Sequence, residues 1–192
     1  ETPLTVENFF GYMNRGDYDN VIFHRSVENF VVQGGGFENI GGFPRIFQDG
    51  PVRNEPGISN LRGTVALAKL GNDPNSGTNQ FFFNLGNNSE NLDNQNGGFT
   101  VFAEIMGKDS LAVMDALAEL MTVNATITQP AFTDVPVLSA EDFDDNNGIL
   151  SPANTAVMSR VAEVYQVVGE PYRQLPTKGL ITYSSDNGDT GV

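Results

Sequence analysis

The chain has 192 residues, with 24 acidic against 10 basic side chains, a net charge of −14, no cysteine and one histidine. A field of that sign repels phosphate backbones and anionic membranes, and the missing cysteines exclude disulfides, thiolate catalysis and Cys-ligated metal centres. Hydrophobic residues make up 39%, enough for a core, while 21 glycines and 10 prolines favour a turn-rich β protein over a helical bundle.

Residues 5–14 read as a helix, with Thr5 as N-cap, Val6, Phe9, Phe10 and Met13 on one face, and Gly16 as its stop. Residues 21–24 and 30–33 follow as strands, the second ended by Gly34, Gly35 and Gly36. Short apolar runs recur at 64–68, 80–85 and 100–105 between Gly/Asn/Asp/Pro loops, a rhythm that predicts a barrel or sandwich. A second helix is expected over 110–120, capped by Asp109 and striped by Leu111, Met114, Leu117, Ala118 and Met121. Residues 133–138 read as a closing strand that Pro136 confines to an edge or bulge. Beyond it the acidic stretch 140–148 reads as a linker, 154–168 as a helix on Val157, Val161 and Val164 or Tyr165, 179–183 as a short strand, and 184–192 as unstructured. The predicted domains are residues 1–138 and an extension over 139–192. That extension is expected to pack on the body and leave the groove of the first domain open.

Two sequence blocks carry chemistry. The first is Phe23-His24-Arg25 followed by Phe30-Val31-Val32-Gln33-Gly34-Gly35-Gly36-Phe37. The second runs Asn79-Gln80-Phe81-Phe82-Phe83, then Leu92-Asp93, then Phe99-Thr100-Val101-Phe102. In order and spacing the pair resembles the signature of the cyclophilin-type peptidyl-prolyl cis/trans isomerases, bacterial-like, over roughly residues 3–138. The resemblance implies a mainly β fold, an eight-stranded antiparallel barrel with two capping helices, of which the first two strands are missing from this chain. It implies Arg25, Gln33 and Phe30 as catalytic residues. Phe82, Leu92 and Phe99 would line a proline pocket with Phe30, and Gln80, Ala68, Lys69, Leu70 and Asn91 would complete the groove. Asn91 and Phe99 stand where the best-known eukaryotic pattern has Trp and His, so cyclosporin-like ligands are expected to bind weakly.

The expected reaction is rotation about X–Pro bonds in unfolded or flexible protein segments, without metal or cofactor, by a monomer. A guanidinium suits it, since it stays charged and offers fixed donors to a proline nitrogen whose lone pair is freed in the twisted transition state. The alternative is a non-catalytic proline-peptide binding module or inactive fragment, which would have no need of Arg25. A hydrolase built on His24 lacks any supporting motif, and His24 reads as a satisfied core histidine on the face opposite Arg25. The glycine run lacks the spacing of a phosphate loop. Asp142, Asp144 and Asn146 open like a calcium loop, but Ala153 stands where a bidentate Glu is needed. The sequons at Asn87 and Asn124 matter only in a eukaryotic secretory setting. No apolar run reaches the roughly 18 residues of a membrane span. A chain opening on Glu1 is compatible with a leader already removed, and the composition leans towards a periplasmic or secreted setting.

Overall fold

The computed structural model describes residues 1–163. Helix α1 spans Pro3–Arg15, two residues earlier than expected, with Pro at its start where a missing N–H costs nothing. Thr5 is therefore not the cap. The free N–H groups of the first turn go instead to a distant carboxylate: Leu4 N–H and Thr5 N–H donate to Glu55 at 3.2 and 2.9 Å, and the Thr5 hydroxyl donates at 2.9 Å. Burial would raise the Glu55 carboxyl, but these donors and Arg53 outweigh it and hold it below its ordinary value. The helix ends on Gly16 in the left-handed region at φ 78°, its N–H donating to the Met13 carbonyl. The buried face is Thr5, Phe9, Tyr12 and Met13, rotated from the predicted stripe, and Phe10 is left exposed.

Strands β1 (Val21–Ile22), β2 (Arg25–Val27), β3 (Val31–Gly34), β4 (Thr64–Leu67), β5 (Phe81–Asn84) and β6 (Val101–Glu104) follow, with the one-turn helix α2 (Ser89–Leu92) between the last two. Five of them form one antiparallel sheet in the order β2-β3-β5-β4-β6. Alternation sorts the side chains. Val32, Val65, Phe81 and Phe83 face a core completed by Phe9, Tyr12, Met13 and Tyr18, whereas Val31, Ala66, Phe82 and Val101 gather on the opposite face.

Helix α3 (Lys108–Ala118) starts from Gly107, so Asp109 lies in its first turn, where the helix dipole favours an anion, and is not the cap. It buries Met114 and packs Leu111, Leu117 and Ala118 on the core; Met121 lies past its end and is exposed. The expected closing strand shrinks to β8 (Val135–Pro136), paired with β7 (Thr122–Val123), and Val137 adds an isolated bridge to Thr155. The adjacent Asp134 carbonyl accepts from Ser26 N–H at 2.7 Å, which covers the outer edge of β2.

Two readings of the C-terminal stretch are corrected. The acidic segment contains helix α4 (Ala140–Asp145), capped by the Ser139 hydroxyl accepting from Asp142 N–H at 3.1 Å and anchored by buried Phe143. Residues 155–163 are not helical. After a short 3-10 turn, Pro152–Asn154, strand β9 (Val157–Met158) pairs antiparallel with β1, because Val21 and Ile22 offer a fully buried edge there. The expected strand at 179–183 and the end of the expected helix lie outside the described residues.

Candidate active site

Arg25 pairs with Gln33 across β2 and β3, Gln33 with Phe82 across β3 and β5, and Phe82 with Ala66 across β5 and β4. Directly opposed residues point to the same face of a sheet. One cross-strand row therefore carries an arginine, an amide and an aromatic floor, with Arg25 about 14 Å from Ala66 at strand spacing. Arg25 and Gln33 are half-buried, and among the described residues the Arg25 guanidinium forms no hydrogen bond or ion pair.

Beside this row lies an apolar cluster of Val31, Ala66, Phe82, Leu92 and Val101, packed by half-buried Phe30, Ile58, Ala68 and Phe99. Phe82 and Phe99 meet edge to face, ring centroids 5.7 Å apart. Lys69 lies over the Phe99 ring at 4.6 Å and donates to the Asn96 carbonyl at 2.8 Å and to the Gly98 carbonyl. Burial holds its ammonium below the ordinary lysine value, with Asp73 pulling the other way. Asn91 is exposed on α2. Leu70 is 71% exposed and stands outside the cluster.

Gln33 is oriented from behind. Its Nε2 donates to Gln80 Oε1 at 2.8 Å, and its own Oε1, on the strand next to Arg25, accepts from no group among the described residues. Gln80 lies flat over Gly36, where a Cβ would stand 2.8 Å from Gln80 Nε2. Gly35, in the left-handed region at φ 80°, brings the turn within reach of the Asn79 carbonyl, 2.7 Å from where a Cβ would be. His24 sits behind this turn, edge-on to Phe37 at 4.9 Å. It is a core histidine as expected, but not a satisfied one: its Nδ1 has no partner among the described residues. Burial first, then Arg25 and Arg45, push its pKa down to about 3 against a hydrogen bond with Gln80. A ring this buried, packed against Phe37 and Phe132 and with its basicity lowered, is placed as a core residue and not as a general base open to substrate.

Sequence reasoning missed the polar layer under the pocket. The side chain of fully buried Asn84 donates to Asn60 Oδ1 and Thr64 Oγ1 and accepts from Asn88 Nδ2. Asn88 Nδ2 also donates to the Phe30 carbonyl, and Asn60 Nδ2 to the Phe99 carbonyl. Asp93 Oδ1 accepts from both nitrogens of Asn60 at 2.9 Å. Burial would raise the Asp93 carboxyl; donors from Asn60 and Ser59 outweigh it and keep it below its ordinary value. Strand alternation was the available signal, since Asn84 shares a face with Phe82.

Residues 1–142 match the family described as cyclophilin type peptidyl-prolyl cis-trans isomerase/CLD. This chain belongs to that family. It is 38% identical over 144 residues to peptidyl-prolyl cis-trans isomerase B of Escherichia coli, covering 71% of this chain and 81% of that one. It is 40% identical over 147 residues to peptidyl-prolyl cis-trans isomerase cyp18 of Streptomyces antibioticus, with the same coverage of 71% and 81%. The cyclophilin fold and the peptidyl-prolyl isomerase class read from the two sequence blocks stand on these relatives.

Proposed function

We propose that this cyclophilin turns X–Pro bonds of unfolded or flexible segments over the outer face of its sheet, with Arg25 as the transition-state donor. The single observation that supports this reading is the row Arg25–Gln33–Phe82, a guanidinium with unused donors two strands from an apolar cluster edged by half-buried Phe30 and Phe99. Resonance in the X–Pro amide sets a barrier of about 18–20 kcal/mol. At the twisted midpoint that resonance is lost and the proline nitrogen gains a lone pair. A donor aimed at that lone pair interacts strongly only there, so it raises rate more than affinity. Phe30, Phe82, Leu92 and Phe99 hold the proline ring, and the free Gln33 Oε1 accepts from the peptide backbone. No bond is made or broken apart from hydrogen bonds, and no proton needs to move.

The test is two-dimensional exchange NMR on a short Ala-Pro peptide. Arg25→Ala is expected to lower kcat/KM at least about tenfold, equivalent to about 1.4 kcal/mol of transition-state preference, with an unchanged circular dichroism spectrum. Full activity in that variant would remove Arg25 from the mechanism.

A further inference from the structure

In a chain carrying 14 excess negative charges, the groove is bordered by two cations, Arg25 and Lys69. The ion pairs within 4.0 Å among the described residues join Arg15 to Asp17 and Asp49 and Arg62 to Asp115, none at the groove. Lys69 borders the apolar cluster from the side of Phe99: its ammonium rests on Phe99, Phe99 meets Phe82, and Phe82 leads through Gln33 to Arg25. An ammonium has three donors. Two reach the carbonyls of Asn96 and Gly98, which fixes the charge in place and leaves one N–H open. Asp73, the carboxylate whose charge acts on Lys69, accepts from Asn75 N–H through its Oδ1 at 2.8 Å. Asp73 attracts Lys69 without forming an ion pair with it.

Resting on the isomerase reading above, we propose that Lys69 is a specificity-determining residue that selects X–Pro segments with an acidic side chain next to the proline. With the proline ring on Phe82 and Phe99, the neighbouring residue of an extended chain lies only about 3.4 Å further along, within reach of an ammonium seated on Phe99. A carboxylate there takes the open donor of a partly desolvated charge. A lysine at that place meets like charge. The overall acidity of the protein disfavours acidic segments at long range, so the selection is local and depends on this one side chain.

The experiment measures catalysed exchange, relative to the uncatalysed rate of each peptide, for short peptides with Glu, Gln or Lys before the proline, and a second series with them after it. In one series kcat/KM is expected to favour Glu over Lys by about two- to fivefold, the range of a partly exposed ion pair. Lys69→Gln should bring that ratio close to one, and Lys69→Arg should keep it. Asp73→Asn, which removes the competing carboxylate, should raise it. Because each enzyme is compared with itself across peptides, a general loss of activity through the 95–98 loop does not affect the ratio. A wild-type ratio near one in both series overturns the proposal, as does a ratio that survives Lys69→Gln. If the Gln peptides themselves are not turned over by the wild-type protein, the isomerase reading fails and this proposal with it.

Discussion

The buried neutral imidazole of His24 should make this cyclophilin lose stability with acid in a window where no other side chain of its sequence ordinarily titrates. The histidine is the only one in the chain. In the unfolded chain it takes a proton near its ordinary value of 6.5; in the folded protein burial, Arg25 and Arg45 hold that event down at about 3. Between those values the unfolded state binds more protons than the native state, so stability rises with pH and is lost as pH falls. The contribution is fully present above about pH 6.5 and declines by about 1.4 kcal/mol per pH unit below it, until the folded group also protonates. From about pH 7 to pH 5 the loss is about 2 kcal/mol, a figure that requires only that the folded value stay below 5. Glu55 and Asp93, whose folded values are depressed, add their own losses lower down, below ordinary values of 4.5 and 3.8. The assay is urea unfolding at half-unit steps between about pH 7 and 5 for the wild type and His24→Gln, whose difference in slope isolates the histidine from the rest of the charge. The variant should lack the His24 loss at any absolute stability, and NMR of the wild type should show no titration of the ring in that range. Parallel slopes, or a ring that titrates near its ordinary value, would refute the reasoning.

Phe82→Ala removes a nearly buried ring from the pocket floor and should destabilise the domain by about 3–5 kcal/mol, while also weakening binding of proline peptides. Wild-type melting together with wild-type affinity would exclude both roles. Asn91→Trp should tighten a cyclosporin-like ligand in a calorimetric titration, since an indole at this exposed site next to Leu92 adds a donor and apolar area. Unchanged or weaker binding would discard that reading.

Much of the candidate site was legible because the two sequence blocks supply three neighbouring strands, β2, β3 and β5. The first block supplies β2 and β3, the second supplies β5 and β6, and antiparallel pairing brings Arg25, Gln33 and Phe82 into register. The choice among Phe81, Phe82 and Phe83 was not legible from composition, since all three are equally apolar. Only the register turns Phe82 outward and its neighbours inward. Elsewhere tertiary contacts overrode local pattern. Helix α1 buries Tyr12 instead of Phe10 because the Tyr12 hydroxyl accepts from Asp49 N–H at 2.6 Å and its ring packs on Tyr18. The segment after Leu138 was misread because charge dominated the reading. Ser139 followed three residues later by Asp142, with Phe143 next, is a helix start that the same sequence displays.

The asparagine layer explains how the loops around the apolar cluster on this sheet face are held in place. Hydrophobic contact is non-directional and by itself would allow the rings to tilt or collapse inward. Here the backbone carbonyls of Phe30 and Phe99 are each tied to a buried amide, Asn88 and Asn60, and those amides are tied through Asn84 and Asp93. Leaving a buried group of this layer unmatched costs about 1–3 kcal/mol, which opposes any tilt that breaks these bonds. The pocket walls come from loop residues far apart in sequence, at 30, 60, 88 and 99, and their joint placement is a property of the folded loops. The resemblance carried by the two sequence blocks pointed to the floor of the candidate site. Its walls depend on hydrogen bonds that no local pattern encodes.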